Sequence, residues 1–338
     1  MKDGHFAKTA VIGAGAWGTA LALTAARNGG PVVLWTYKES EAAVIRETRL
    51  SLCPVEGAER LPDCVTVTSD WADVAGSDLV IVVVPSVAMR SVAQSLSQAN
   101  LAPDAVVVSC TKGIERDSNL LMSQILSEYL SCPVGALSGP NHAEDVVLDL
   151  PTLTLVGFED IELAAAVQRR LSTLYFRVYT TTDVVGMQLG GAIKNVFALA
   201  SGIIAGLGLG DNARAALATR GLAEMTRLGV AYGGRMETFM GLSGMGDLVV
   251  TCYSEHSRNL SAGRLLASGV PGSECQGRIG QVVEGIPNTF STWQLARKLN
   301  VRTPLTDAMY EILYEDKPVL DALQELMNRD LREESMTD

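Results

Sequence analysis

The feature that most restricts this chain is a six-residue loop, Gly13-Ala14-Gly15-Ala16-Trp17-Gly18, set between a β-branched run from Thr9 to Ile12 and a helical run from Thr19 to Asn28. A G-x-G-x-x-G loop between strand and helix is the phosphate turn of a βαβ unit. Gly13 permits the tight turn, Gly15 lets a pyrophosphate approach the backbone, and Gly18 lets the helix pack closely on the strand. The helix start adds free N–H groups and a positive dipole end, so the expected ligand is an anionic dinucleotide. A purely structural glycine turn is the alternative that this placement disfavours.

The strand-and-helix alternation continues through Val32 to Trp35, Leu79 to Val84, Val106 to Cys110, Val134 to Leu137, Thr152 to Val156 and Phe176 to Thr180. This pattern predicts a doubly wound, mostly parallel sheet of the Rossmann type, and the unbroken run Leu79 to Val84 predicts a strand buried on both faces. Beyond about Thr182 helical periodicity takes over, in Gly191 to Ala205, Ala213 to Leu228, Asn259 to Leu266 and Thr289 to Leu299. With 338 residues the chain is long enough for two domains. The expected division is a dinucleotide-binding α/β domain over residues 1–185 and an all-α substrate domain over residues 186–338. The apolar stretch from Gly186 to Gly210 is interrupted by Gln188, Lys194 and Asn195. It therefore reads as a buried central helix rather than a membrane span.

Charge and composition remove several function classes. Lys and Arg number 27 against 38 Asp and Glu, a formal charge of −11, which argues against a broad electrostatic grip on nucleic acid or an anionic membrane. Any anionic ligand must meet a local cluster of cations. The six cysteines (Cys53, Cys64, Cys110, Cys132, Cys252, Cys275) show no CxxC spacing, and MKDGHF carries no apolar secretory segment. Free thiols in a reducing cytoplasm are expected. Three scattered histidines suggest neither a metal site nor a Ser-His-Asp triad.

Cations do occur in telling places. Lys194 lies in Gly190-Gly191-Ala192-Ile193-Lys194-Asn195, a helix almost free of other charge. Its amine either snorkels to water or is desolvated toward a neutral pKa as a general base. Lys112 follows the run Val106 to Cys110 at the carboxyl edge of the sheet, where such folds bind ligands. Gly139-Pro140-Asn141-His142 ends the next strand at that edge. Gly241 to Gly246 is a glycine-dense loop ending in Asp247, and Ser257-Arg258-Asn259 opens a helix as either a phosphate clamp or a plain N-cap. At the end of the second strand, Trp35-Thr36-Tyr37-Lys38-Glu39, the acid expected for NAD is missing at Thr36. Lys38 either meets a 2′-phosphate or belongs to a solvated turn. The lean is slightly toward NADP(H), with NAD also open.

Taken together, the segments GAGAWGTALA, VVLW, VVVPS, TKGIE, LSGPNHAEDV, MQLGGAIKNV, NARAALATRGLAEM, GLSGMGDLVVTC, SRN and GQVVEG resemble, in order and spacing, the bacterial NAD(P)-dependent glycerol-3-phosphate dehydrogenases. The resemblance implies hydride transfer between NAD(P)H and C2 of dihydroxyacetone phosphate, forming sn-glycerol 3-phosphate for glycerophospholipid synthesis. It makes Lys194 the acid-base residue, with Lys112 and Asp247 beside it in catalysis. It implies substrate contacts from Lys112, Gly139, Asn141, Lys194, Asp247, Ser257, Arg258 and Asn259. Cofactor contacts are implied for Gly13, Gly15, Ala16, Trp17, Gly18, Tyr37, Lys112, Ala143, Arg258, Val282 and Glu284. Ala16 stands where the family often has Ser, Tyr37 where Arg or His is usual, and Asn141 where Ser or Thr is frequent. A cytoplasmic homodimer is implied, without nucleic acid, metal or membrane insertion. The competing readings are a β-hydroxyacid or 6-phosphogluconate-type dehydrogenase and a non-catalytic NAD(P)-binding redox sensor.

Overall fold

The computed structural model describes residues 6–53, 55–331 and 333–334. Eight strands form one sheet: β1 (Thr9–Ile12), β2 (Val32–Trp35), β3 (Val65–Thr68), β4 (Leu79–Val82), β5 (Val106–Ser109), β6 (Val134–Ser138), β7 (Thr152–Gly157) and β8 (Phe176–Thr181). Their order is β3-β2-β1-β4-β5-β6-β7-β8. The first six are parallel in the doubly wound order, β7 runs antiparallel to β6, and β8 is parallel to β7. Every residue of β1, β2, β4 and β5 is buried, as expected of strands covered by helices on both faces. The outer β8 alternates buried and exposed residues instead. The mostly parallel α/β fold anticipated from the sequence is present, with one strand, β3, that the sequence reading did not anticipate. Its VTVT run is only four residues long and has an exposed second position, too little pattern to separate from a loop.

The helices of this half are α1 (Ala16–Arg27), α2 (Glu39–Thr48), α3 (Met89–Leu96), α4 (Met122–Tyr129), α5 (Ala143–Val147) and α6 (Ile161–Leu171). Asn28 ends α1, and Gly29 and Gly30 follow at φ +79° and +81°, left-handed positions that suit glycine.

The chain divides into two compact units, and the division is not a single cut. The first unit runs through Thr111 and resumes for Met122–Val184, while the second takes Lys112–Leu121 together with everything from Val185 on. A boundary at residue 186 therefore leaves out a ten-residue excursion that begins at Lys112. The second unit is helical: α7 (Val184–Gly206), α8 (Gly210–Tyr232), α9 (Met236–Phe239), α10 (Asp247–Tyr253), α11 (Arg258–Ala267), α12 (Gly272–Ile279), α13 (Gly285–Lys298), α14 (Pro304–Tyr314) and α15 (Val319–Met327). Its axis is α7, whose Leu189, Ile193 and Phe197 feed one apolar cluster and Val196, Leu199 and Ile203 another. Its length and composition would suit a bilayer, but it is a mostly buried core helix. Close neighbours explain its small residues. A Cβ on Gly190 would lie 2.5 Å from the Ser243 carbonyl oxygen, and one on Gly202 would lie 2.1 Å from that of Leu260.

Candidate active site

In the first unit the glycine loop is held by backbone. Gly13 has φ +115°, and a Cβ there would sit 2.2 Å from the Val83 carbonyl oxygen at the end of β4. A Cβ on Gly18 would lie 1.8 Å from the Gly13 carbonyl oxygen, so both positions exclude a side chain. Around Gly15, by contrast, a Cβ would meet nothing within 4 Å. The turn thus leaves open space before the first N–H groups of α1, at the point between β1 and β4 where the strand order reverses. That is the place and the donor set a pyrophosphate requires. Ala16 and Ala143 line one small hollow with Thr19 and Val147, and Trp17 turns its ring toward Phe176, with centroids 6.3 Å apart.

At the end of β2 the structure supplies a carboxylate that the sequence reading missed. Glu41, one turn into α2, accepts from Thr36 Oγ1 at 2.9 Å and from Lys38 Nζ at 3.0 Å. Tyr37 beside them is 68% exposed. Gly139, at φ +150°, ends β6 against Thr154, and Asn141 Nδ2 donates to Thr154 Oγ1 at 3.0 Å. That hydroxyl donates in turn to the Ser138 carbonyl, so part of the Asn141 amide is committed to fixing its own loop.

The second unit gathers charge. A single π-helical turn, Leu242–Gly246, delivers Asp247 as the first residue of α10. Asp247 is 1% exposed and divides its oxygens between two lysines: Oδ1 accepts from Lys194 Nζ at 2.5 Å and Oδ2 from Lys112 Nζ at 2.7 Å. Thr251, four residues on and so on the same face of α10, donates its hydroxyl to the Asp247 carbonyl at 2.6 Å. With its proton engaged there, Thr251 Oγ1 accepts from Lys194 Nζ at 2.5 Å. Two of the three Nζ hydrogens are placed in this way, and the third has no acceptor among the described residues. Two cations against one anion leave the cluster with a net positive charge. Burial pulls the Lys194 pKa down from 10.5 to about 8, the Lys112 charge adds to the fall, and the Asp247 carboxylate opposes it.

Ser257, the N-cap of α11, accepts from the Leu260 N–H at 3.2 Å, so the capping role holds. Arg258 next to it is exposed and has no carboxylate partner among the described residues, which leaves its guanidinium available beside the N-terminal N–H groups of α11. Asn259 is largely committed: its Oδ1 accepts from the Gly285 N–H at 2.9 Å and its Nδ2 donates to Asn195 Oδ1 at 2.8 Å. Asn195 is the neighbour of Lys194, so the opening of α11, the opening of α13 and the lysine helix share one chain of hydrogen bonds. Val282 is half-buried, and Glu284 stands at the N-cap position of α13.

The second unit therefore brings Lys112, Lys194 and Asp247 into direct contact and ties Asn259 to the same helix. Gly13, Gly15, Ala16, Trp17, Gly18, Tyr37, Gly139, Asn141 and Ala143 belong to the first unit. Thr251 and Glu41 are additions from the structure. The four-residue spacing of Asp247 and Thr251 on a helix could have pointed to the first, whereas no local pattern points to the second.

A doubly wound nucleotide fold with this phosphate turn, together with a helical unit that buries a lysine of lowered pKa, defines an NAD(P)-dependent oxidoreductase. Residues 8–164 match the model of the NAD-dependent glycerol-3-phosphate dehydrogenase N-terminus, and residues 183–324 match that of the C-terminus. The chain belongs to the NAD-dependent glycerol-3-phosphate dehydrogenase family. It is 45% identical over 328 residues to the glycerol-3-phosphate dehydrogenase [NAD(P)+] of Geobacter sulfurreducens, covering 96% of this chain and 98% of that one. It is 46% identical to the Moorella thermoacetica protein of the same name, covering 95% of each. The crystal structure of glycerol-3-phosphate dehydrogenase from Coxiella burnetii superposes with a TM-score of 0.91 at 37% identity, covering 95% of this chain and 99% of that one.

Proposed function

We propose that Lys194 is the acid-base residue with which this chain, a glycerol-3-phosphate dehydrogenase using NAD(P), interconverts dihydroxyacetone phosphate and sn-glycerol 3-phosphate. The observation that carries the reading is the Asp247 carboxylate shared between two lysines in a buried site. When bound, NAD(P)H supplies a hydride to the carbonyl carbon. Lys194 supplies the proton: as an ammonium it donates its third N–H to the substrate oxygen during reduction, and as a neutral amine it takes the hydroxyl proton in the reverse direction. Asp247 and Thr251 fix the direction of that N–H, and Asp247 also keeps the ammonium populated against the cost of burial.

Lys112 completes a positive site for a substrate of about two negative charges inside a chain of charge −11. Arg258, Ser257 and Asn259 hold the phosphoryl end beside the α11 N-terminus, with Gly139 and Asn141 along the rest of the substrate. Gly13, Gly15, Ala16, Trp17, Gly18, Tyr37 and Ala143 hold the dinucleotide, joined by Lys112, Arg258, Val282 and Glu284. Lys38, paired with Glu41, inclines the site to NADP(H) while Glu41 keeps NAD(H) in use. The product feeds glycerophospholipid synthesis, and the enzyme works as a homodimer in the cytoplasm, readings supported by its family membership.

Initial rates of NADH and NADPH oxidation with dihydroxyacetone phosphate, set against a panel of hydroxyacids and ketoacids, test this function. Turnover confined to the triose phosphate is the expected result. Turnover confined to the acids, or cofactor binding without any turnover, overturns it.

A further inference from the structure

The second unit holds one buried polar side chain that the reaction as described does not use and that touches the backbone of both lysine segments. Asn288, in the first turn of α13, is 0% exposed. Its Nδ2 donates to the carbonyl of Lys112 at 3.2 Å and to the carbonyl of Ala192, two residues before Lys194, at 3.3 Å. Carbonyl oxygens only accept, so these two neighbours require the NH2 group to face them. The Lys112 carbonyl lies outside any helix or strand, two residues before the point where Ile114 bridges Leu121 and closes the segment on itself. The Ala192 carbonyl, by contrast, lies inside a helix.

The rest of the same helix holds the turn of that segment. Gln294 Oε1 accepts from the Asp117 N–H at 2.9 Å and from Asn119 Nδ2 at 3.2 Å. Helix α13 therefore holds the Lys112 segment at its start and at its turn, and Asn288 alone of these contacts reaches the lysine residue itself. Its Oδ1 makes no hydrogen bond among the described residues. A buried unsatisfied acceptor is unfavourable for folding, so overall stability alone does not account for an amide at this position.

We propose that Asn288 is a positioning residue for the lysine pair: by tying the Lys112 carbonyl to the α7 backbone just before Lys194, it sets the spacing of the two ammonium groups across Asp247. The proposal rests on the roles given to Lys112 and Lys194 above. It has a consequence beyond stability. The titratable groups that act on the Lys194 ammonium are Lys112 and, on α10, Asp247 and Cys252, beside the neutral Thr251 hydroxyl. The Lys112 charge opposes protonation of Lys194, so releasing its backbone lets that charge withdraw and moves the titration of Lys194 upward.

The test compares the full-length enzyme with Asn288→Ala, Asn288→Ser, Thr292→Val and Lys194→Ala, measuring kcat, KM for each substrate, the pH dependence of kcat and thermal stability. Thr292 lies one turn further along α13, is equally buried, and has a hydroxyl with no partner, so its variant reports damage to the helix alone. Asn288→Ala is expected to lower kcat on the order of 10- to 100-fold, with KM for NAD(P)H within about twofold of wild type. The alkaline limb of dihydroxyacetone phosphate reduction should move upward, Asn288→Ser should fall between, and Thr292→Val should match wild type. A folded Asn288→Ala or Asn288→Ser with wild-type kcat and an unmoved limb overturns the proposal. So does a loss of activity that Thr292→Val reproduces. Should the alanine variant fail to fold, the serine variant decides by the same criteria. Lys194→Ala separates the two layers: wild-type turnover there refutes the lysine assignment, whereas its inactivity beside a normal Asn288→Ala refutes only the positioning role.

Discussion

The glycine loop of the first unit and the lysine cluster of the second do their work by opposite physical means. The loop contains no charged side chain: it is six consecutive residues whose backbone amides and helix dipole await an anion, and its geometry is enforced by two close approaches, Gly13 to Val83 and Gly18 to Gly13. The cluster is all side chain. Lys112, Lys194 and the pair Asp247 and Thr251 come from three separate stretches of the chain, and they meet in a site where burial lowers the Lys194 pKa. A ligand that has only to be held is well served by fixed backbone dipoles. A proton that must be transferred requires a group whose pKa can be set, and that setting depends on neighbours and desolvation.

The contrast breaks most sharply at Lys194. Lys194→Ala should lower kcat by on the order of 10²- to 10⁴-fold while NADPH affinity, read by fluorescence titration, stays near wild type. Loss of cofactor binding in that variant would mean that holding and proton transfer are not separable. Asp247→Asn should come next, with kcat down roughly 100-fold. With Lys194 in the proposed role, wild-type reduction draws on the ammonium, so its rate should fall as pH rises through about 8, while glycerol 3-phosphate oxidation should rise through the same pH. Removing the Asp247 charge removes what holds the proton on, so both limbs should move to lower pH. A limb that stays in place would show that Asp247 does not govern Lys194.

Gly18→Ala tests the other region. Its Cβ would overlap the Gly13 carbonyl, so KM for the cofactor should rise about tenfold or more as α1 is pushed off the strand, with the pH limbs unchanged. A moved limb would join the two regions energetically.

A buried charge outside the cluster sharpens the comparison further. Glu224 on α8 accepts from the N–H groups of Leu305 and Thr306, both at 2.9 Å, and from Thr306 Oγ1 at 2.6 Å, capping α14 from a neighbouring helix. Burial raises its pKa from 4.5 to about 7 despite those donors and Arg227. The folded state therefore binds more protons than the unfolded chain between these two values, and stability should fall as pH rises from about 4.5 to about 7 and level off above. Glu224→Gln should flatten that slope in pH-dependent thermal melts without moving the limbs of kcat. The smallest expected effect is at Glu41: Glu41→Gln frees Lys38 and should raise the NADPH to NADH ratio of kcat/KM a few-fold, roughly what an exposed pair contributes. An unchanged ratio would remove Lys38 from the cofactor site.

Much of the fold was legible because its signals are local. Thr9–Ile12 and Val32–Trp35 are apolar runs bounded by turns, and the loop after β1 carries its own explanation in its glycine spacing. The antiparallel turn of β7 against β6 was not legible, since strand direction depends on how the chain returns and not on residue type. In the site, Lys194 and Asn195 were conspicuous as polar residues in an apolar helix, and their partners were not. Nothing near Lys112 in sequence announces that residues 112–121 leave the first unit for the second, nor that Asn288 receives their carbonyl.

By itself the sequence determined the nucleotide turn, the buried parallel strands and the apolar helix with its single lysine, because each follows from steric freedom or hydrophobic period within a dozen or so neighbours. Only the tertiary structure decided that one carboxylate would bridge two lysines 82 residues apart and that Thr251 would take a second bond from Lys194. Charges act through space and desolvation through packing density, and neither quantity exists until distant segments have been folded together.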